Sequence, residues 1–533
     1  MKTIENWPEI VAEKDTHINV LEQKVTELEA LIKFYEGQFR LLKQKQYGAS
    51  SEKNQYDHEQ LSIFNEAETT ADPAEDEPEL VEIEKHYRKA KRSSNDRLPE
   101  DLPVETVEHK LPDDGQECPE CGGLLHVMGR EVRRELKIVP AQVSILEHVQ
   151  YVYSCRKCER NGISVPVVKA AVPAPPIKGG FASPEAVAHI MTQKFVMGTP
   201  LYRQEQEFLR NDVLLSRQTM SNWQIRCAED WLKPIYERMK ARLLKRSVLF
   251  ADETTLQVLD EPGKKAQSKS YMWLYRTGGD ADHAIVLYEY RPDRRPVHPM
   301  NFLRGFSGYL HADGYEGYHK LPENIIVVGC WSHCRRKYDE ALKSLLEKDR
   351  EGSAALRGLQ YCDKLFAIER ELSALTPDER HAKRQELSKP IMEEFFSWSE
   401  SLKVIPKSGI GKAVYYTQSQ RKYLERYLLD GRLECSNNRS ERSIKPFVIG
   451  RKNWLFNKTP KGADASAIIY SVIETAKENG LNPYEYLTRV FSTAPNVDFR
   501  NDSDVLDSLM PWHQPELEQS ASAIGQSQPL GQE

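Results

Sequence analysis

Five short apolar runs between residues 248 and 329 constrain this chain more than any other feature. Residues 248–251 are apolar and partly β-branched, close on Asp252 and continue with alternation through 254–258, so they read as a buried strand with a carboxylate at its exposed end. Alternation turns Asp252 and Glu253 to opposite faces. Residues 271–276 and 284–290 follow, separated by the turn signal Gly278-Gly279-Asp280, as an antiparallel meander. Residues 309–312 end on Asp313, with Gly314 behind it supplying a turn. Residues 325–329 form the last run and lead into a helix carrying Arg335, Arg336 and Lys337. Three strands without helices, then strands alternating with helices, predict a mixed α/β fold in which the ends of the first and fourth strands lie side by side.

Carboxylates at neighbouring strand ends repel unless a divalent cation lies between them, and a third acid from a helix completes an oxygen-rich site suited to Mg2+ or Mn2+. Two such ions roughly 3.5–4 Å apart activate a nucleophile and stabilise the leaving oxygen of a phosphodiester. An isolated Asp at a strand end is more often a turn former or helix cap. Glu441 is set apart by its surroundings. Seven Lys or Arg (439, 442, 445, 451, 452, 458, 461) lie between Arg439 and Lys461, and Glu441 is the only acid before Asp464. One carboxylate in so positive a field suits a site beside a polyanion. Asn438, Arg439, Arg442, Arg451 and Lys452, with Arg335 and Arg336, are the candidate phosphate contacts.

The net charge of −6 looks wrong for a DNA-binding chain until it is divided along the sequence. Residues 66–84 hold nine acids and residues 501–533 six, with no Lys or Arg in either; without these fifteen charges the remainder carries +9. Pro73, Pro78 and a scarcity of aromatics predict a disordered acidic linker, read as a solubilising spacer or as a DNA mimic competing for a basic groove. Before it, Ile4, Val11, Ile18, Val25, Ile32 and Phe39 recur every seven residues, and Leu21, Leu28, Tyr35 and Leu42 form the second series. That is a coiled-coil pattern, firm over residues 18–42, which predicts a homodimer or higher oligomer; the other reading is an amphipathic helix folded on its own core. No apolar run approaches the ~18 residues that span a membrane. Residues 1–15 lack a secretory apolar stretch, so the chain is expected in the cytoplasm, on the nucleoid when DNA-bound.

Cys118-Pro119-Glu120-Cys121 and Cys155-Arg156-Lys157-Cys158 each set two thiolates on a tight knuckle. Together they supply the four ligands of a closed, structural Zn2+ site, with strand-like residues 134–138 and 143–153 between them; buried free thiols are the alternative. Cys330, His333 and Cys334 suggest a second cluster, but their spacing at a helix start equally suits packing. Residues 183–194 and 201–209 read as helices. Asn211-Asp212-Val213 is a turn, and a third helix opens at Ser216 with Arg217, Gln218, Thr219 and Asn222. The pattern predicts a helix-turn-helix whose exposed N-terminal residues reach base edges, or a generic three-helix unit.

Several long motifs carry a family resemblance. Asn437 to Pro446, Gly450 to Phe456, Ala251-Asp252-Glu253-Thr254, His311 to Tyr315, Gly329 to Lys337, Glu474 to Tyr484 and Leu42 to Lys53 resemble, in order, segments of the insertion-sequence-66 family of bacterial transposases. The resemblance implies a ribonuclease-H-like fold with an Asp-Asp-Glu triad at Asp252, Asp313 and Glu441, and His333 near it. It also implies two small companion proteins from the same element. The expected layout is a coiled coil at 1–53, an acidic then basic linker at 54–98, a zinc-ribbon-like β module at 99–178 and a helix-turn-helix domain at 179–245. A catalytic core at 246–346 and 427–500 follows, interrupted by a helical insertion at 347–426 and ended by a disordered acidic tail at 501–533. Two other readings remain open: a zinc-containing DNA-binding regulator with a silent nuclease domain, and a metal-dependent nuclease or junction resolvase that cuts without joining.

Overall fold

The computed structural model describes residues 14–22, 24–25, 28, 32, 35–36, 39, 142–156, 160 and 167–513. The acidic linker, the Cys118-Cys121 knuckle and Cys158 lie outside the described residues. The described positions between 14 and 39 are helical, and the heptad residues among them are exposed, Val25 at 52% and Ile32 at 58%. Residues expected as a strand over 143–153 are mostly irregular. Only β1 (Val152–Ser154) pairs, antiparallel, with β2 (Val167–Lys169).

Three helices follow. Ser183 caps α1 (Pro184–Phe195) by accepting the Ala186 N–H, and Pro184 suits its first turn, where no partner is needed for the missing N–H. Helix α2 (Leu201–Arg210) ends at a turn where Asp212 adopts φ 57°. Ser216 caps α3 (Arg217–Cys227), which buries Met220, Trp223, Gln224 and Cys227 and leaves Arg217, Gln218, Asn222 and Arg226 exposed. A short π-helical turn joins it to α4 (Lys233–Leu243).

The sheet then forms from β3 (Val248–Gln257), β4 (Lys269–Thr277), β5 (Val286–Arg291), β6 (Gly308–His311) and β7 (Ile325–Val328), with α5 (Val297–Phe302) before β6. Its order is β5-β4-β3-β6-β7, antiparallel over the first three and parallel from β3 through β6 to β7. As its alternation predicts, the first strand runs on past its apolar residues: Asp252 lies in mid-strand, and β4 pairs with β3 as far as Gln257.

Side-chain alternation on β3 feeds two cores. Leu249 and Ala251 join the α1–α4 helices and the C-terminal helices α12 (Pro460–Glu478) and α13 (Pro483–Thr493), which follow α11 (Asn438–Trp454). Val248 and Phe250 face the opposite core, built from α6 (Trp331–Ser344), α7 (Ala354–Glu371), α9 (Lys389–Ser401) and α10 (Gly409–Leu424). Between α7 and α9 lies the short α8 (Pro377–Lys383), followed by a π-helical turn holding the buried Arg384. Arg384 pairs with Glu369 and donates to the carbonyls of Tyr427, Asp430 and Leu433, so one guanidinium ties the inserted helices to the loop before α11. The expected acidic tail is partly folded. Helix α14 (Ser503–Ser508) is held by Asp507 against Arg238 and Arg242, and Leu509 and Met510 are buried.

Candidate active site

The parallel pairing of β3 with β6 matches Phe250 with His311. That pairing stops where β6 ends, two residues before Asp252 on one strand and two before Asp313 on the other, and the Asp313 charge acts on Asp252. Each carboxylate is oriented by the backbone: Asp252 Oδ1 accepts the Glu253 N–H at 2.8 Å and Asp313 Oδ1 accepts the Tyr315 N–H at 2.9 Å. Burial pushes the Asp252 carboxyl well above the usual carboxylate range, and the nearby charges of Glu253, Asp313 and Glu441 push the same way.

Glu441 reaches this gap because α11 is strapped along β3 at both ends. At its start, buried Asn437 donates from Nδ2 to the Ala251 carbonyl at 2.9 Å, one residue before Asp252. At its end the chain turns through Leu455 (φ 65°), and Asn457 donates to the Gln257 carbonyl at 2.9 Å. From β4, buried Arg276 bonds Ser443 and pairs with both oxygens of Glu478 at 3.0 and 3.1 Å, which locks α11 to α12. Glu441 is thus fixed by backbone contacts on either side of it, the kind of support a positioned ligand requires.

Around Glu441 stand Arg336, with Nη2 at 3.5 Å from Oε2, and His333, with Nδ1 at 3.8 Å from Oε1. Cys330 Sγ accepts the Asn437 N–H at 3.1 Å. Burial lowers the His333 pKa against the pull of Glu441, and burial together with Glu441 pushes the Cys330 thiol up to about 12. The opposite face of β3 carries Glu253, whose side chain is 1% exposed. Arg294 and the Tyr318 hydroxyl bond it, and Arg294 stacks over Tyr315 at 3.9 Å and comes within 3.9 Å of Asp313 Oδ2.

Asp252, held protonated more readily by burial and by the carboxylates of Glu253, Asp313 and Glu441 nearby, together with a buried Glu441 Oε1 atom that lacks a hydrogen-bond partner, fits a site for a hard divalent cation. The residues expected as phosphate contacts divide. Arg336 and Arg442 stand on the site helices, partly exposed and exposed; Asn438 is partly exposed at the start of α11 and Lys452 exposed near its end. Arg451 reaches Thr254 and Thr255 on β3 at 3.3 Å. Arg335 pairs with Asp363 of α7, and Arg439 pairs with Glu434 in the loop before α11. In α3, Arg217 stacks near Tyr202 and Gln218 bonds Asn222, with Thr219 partly buried. Of the four expected zinc ligands only Cys155 is described, partly buried beside β1.

Sequence reasoning missed Asn437, Arg276, Arg294 and Tyr318, and it missed the wall formed by the insertion. Helix α10 sets Tyr416 and Gln420 so close to Gly314 that a Cβ there would meet the Tyr416 ring at 3.1 Å. Tyr423 stacks on His319 at 3.8 Å. Neither contact leaves a local signal, since each joins residues about a hundred positions apart.

A helix rich in arginine and lysine thus stands beside the carboxylates of Asp252 and Asp313, and comparison with known proteins gives the class. The chain belongs to the transposase IS66 family, whose profile matches residues 179–465. Profiles for the zinc-finger binding domain of transposase IS66, for the transposase C of IS166 homeodomain and for the IS66 C-terminal element match residues 116–159, 35–107 and 471–512. The chain is also similar to two uncharacterized proteins of Sinorhizobium fredii, y4jD and y4qI. The first is 32% identical over 78% of this chain and 81% of its own length, the second 31% identical over 89% and 87%.

Proposed function

We propose that this transposase cleaves DNA at the ends of its element and joins the freed strands to target DNA, using Asp252, Asp313 and Glu441 in a ribonuclease-H-like core. The observation that supports the reading is the parallel β3–β6 pairing, which ends two residues before Asp252 and Asp313, with Asn437 tying the start of α11 to Ala251. A five-stranded sheet of order β5-β4-β3-β6-β7, three strands antiparallel and two parallel, supports the same core.

Asp252, Asp313 and Glu441 would hold Mg2+ or Mn2+, which when bound activates a water or 3′-hydroxyl for attack and stabilises the leaving oxygen. The chain's own residues do the rest. Backbone N–H groups orient Asp252 and Asp313, and the strapped α11 holds Glu441. Arg336 balances Glu441, and Arg442, Arg451 and Lys452 line the approach for phosphates. Water first frees a 3′-hydroxyl at each element end, and that hydroxyl then attacks target DNA in line, with no covalent protein intermediate. The exposed face of α3, with Arg217, Gln218, Thr219 and Asn222, reads the element end. A four-cysteine Zn2+ site at Cys118, Cys121, Cys155 and Cys158 stabilises the preceding module. The exposed heptad face of residues 18–39 pairs two chains, so that two ends meet two sites. The protein works in the cytoplasm, with the element's small companion proteins added where purified protein alone binds without cutting.

The test uses supercoiled plasmid carrying the DNA that flanks the gene, incubated with protein and magnesium, manganese or EDTA. Metal-dependent nicking at the element boundary, absent in Asp252→Ala and Asp313→Asn although both still bind the end, is the expected result. Cleavage retained by Asp313→Asn removes that residue from the site, and nicked ends that never join target DNA favour a resolvase.

A further inference from the structure

Beside the carboxylates lies a cluster of different chemistry. Cys330, His333 and Glu441 each offer one ligand atom, and the three atoms lie within 4.8 Å of one another. The cluster is assembled from two elements. Cys330 is the N-cap residue of α6 and His333 stands in its first turn, the i, i+3 spacing that puts both on one face, while Glu441 comes across from α11. Two of the three atoms have no other use in the structure: His333 Nδ1 and Glu441 Oε1 are buried and hydrogen-bond to nothing. Their separation of 3.8 Å is too long for a hydrogen bond. It is close to the edge of a tetrahedron with bonds of about 2.0–2.2 Å, roughly 3.3–3.6 Å, so a small closure brings both onto one ion. Cys330 is fully buried at the N-terminal end of α6, and its sulfur is positioned by the Asn437 N–H, which it accepts at 3.1 Å.

A thiolate, an imidazole nitrogen and one carboxylate oxygen make a donor set unlike the all-oxygen site next to it. Hard cations such as magnesium avoid sulfur; zinc and its soft neighbours take this set readily. Three protein ligands leave one position open. Cys334, the other thiol of the helix, is not a candidate, since its side chain is buried in the core shared with Tyr338 and Thr417.

We propose that Cys330, His333 and Glu441 form a second cation site, selective for a soft divalent cation of the zinc class, and that its occupation withdraws Glu441 from the hard-cation site. Binding releases the Cys330 thiol proton to solvent. Because one carboxylate serves both sites, the two cations compete, and zinc acts as an off switch. The binding half stands on geometry alone; the switching half rests on the reading of Asp252, Asp313 and Glu441 as the cleavage site.

The decisive experiment is zinc content by mass spectrometry on full-length protein equilibrated with buffered free zinc, for the natural sequence, Cys330→Ser and His333→Gln, with Cys118→Ser as a reference. The natural protein is expected to hold one more zinc per chain than either Cys330→Ser or His333→Gln, whereas Cys118→Ser loses a separate zinc. Circular dichroism and melting identify any variant that fails to fold, and two variants of different chemistry guard against that. Equal zinc content in the natural protein and both folded variants overturns the site. Magnesium-driven end cleavage by the natural protein should then be inhibited by zinc, and at least tenfold more zinc should be needed for equal fractional inhibition of Cys330→Ser. An extra zinc without inhibition overturns the switch and leaves the site. An extra zinc in a protein that never cleaves DNA with magnesium overturns the cleavage reading alone.

Discussion

At the scale of single residues, the site depends on groups that never touch a substrate. His311, two residues before Asp313, is fully buried, stacks on Phe250 at 4.3 Å and accepts the Glu434 N–H at Nε2. Burial, and then the charges of Arg384 and Arg439, bring its pKa down to about 3. A base whose folded pKa lies below its unfolded value of about 6.5 stabilises the fold above that value and loses the contribution as pH falls towards the folded pKa. Between pH 7.5 and 5.0 the native protein is therefore expected to lose about 2 kcal/mol from this one group. His311→Gln keeps an acceptor for the Glu434 N–H and removes the titration. Denaturant midpoints at the two pH values check it: the drop should be smaller by that amount in the variant. Asn437 is the second such residue. Asn437→Ala unties the start of α11 from Ala251, and loss of a buried hydrogen bond costs about 1–2 kcal/mol. The displaced Glu441 should cost more in function than in stability, with end cleavage reduced about 10–100-fold while end binding, read by gel shift, is unchanged.

Elements were legible where period and capping agree. Ser183 and Ser216 cap the helices expected to start there, and the five strands appear close to the expected runs. What the sequence does not show is which side chain meets which across the fold. Asn437 finds Ala251 over 186 positions and Arg276 finds Glu478 over 202, and such pairs leave no periodic trace. Nor does the sequence show that Arg335 and Arg439, expected as DNA contacts, also pair with Asp363 and Glu434. It also hid the folding of the tail around Asp507, where local acidity suggested only solvated chain. Helix α3 remains a surface reader in the proposed function because Arg217, Gln218, Asn222 and Arg226 are exposed opposite a buried face of Met220, Trp223, Gln224 and Cys227. Arg217→Ala and Gln218→Ala should each lower the preference for the element end over unrelated DNA by roughly 1–3 kcal/mol, measured by competition binding, without lowering the melting temperature. Unchanged preference would return α3 to the role of a packing helix.

At the scale of the whole molecule, charge and association divide the labour. The heptad side chains described between residues 18 and 39 are about half exposed, an expanse of Ile, Leu, Val and Phe that a partner helix would cover. Val25→Asp with Ile32→Asp should convert a dimer to a monomer in analytical ultracentrifugation. The variant should still nick a single end, while coupled cleavage of two ends on one plasmid should fall at least tenfold. A monomeric native protein would make the helix an intramolecular one.

The inserted helices carry a further consequence for how the protein comes into being. Asp313 and Glu441 are separated by the whole of α6 to α10, and α10 supplies Tyr416 and Tyr423 to the wall beside Gly314 and His319. In the reading proposed above, the end-reading helices and both aspartates emerge first during synthesis, and the last carboxylate arrives only after the insertion has left the ribosome. On that reading a chain broken off anywhere in that interval would occupy an element end with no means to cut it. Premature termination would thus turn an agent of mobility into its competitor, and the order of the sequence itself becomes a safeguard on the genome that carries it.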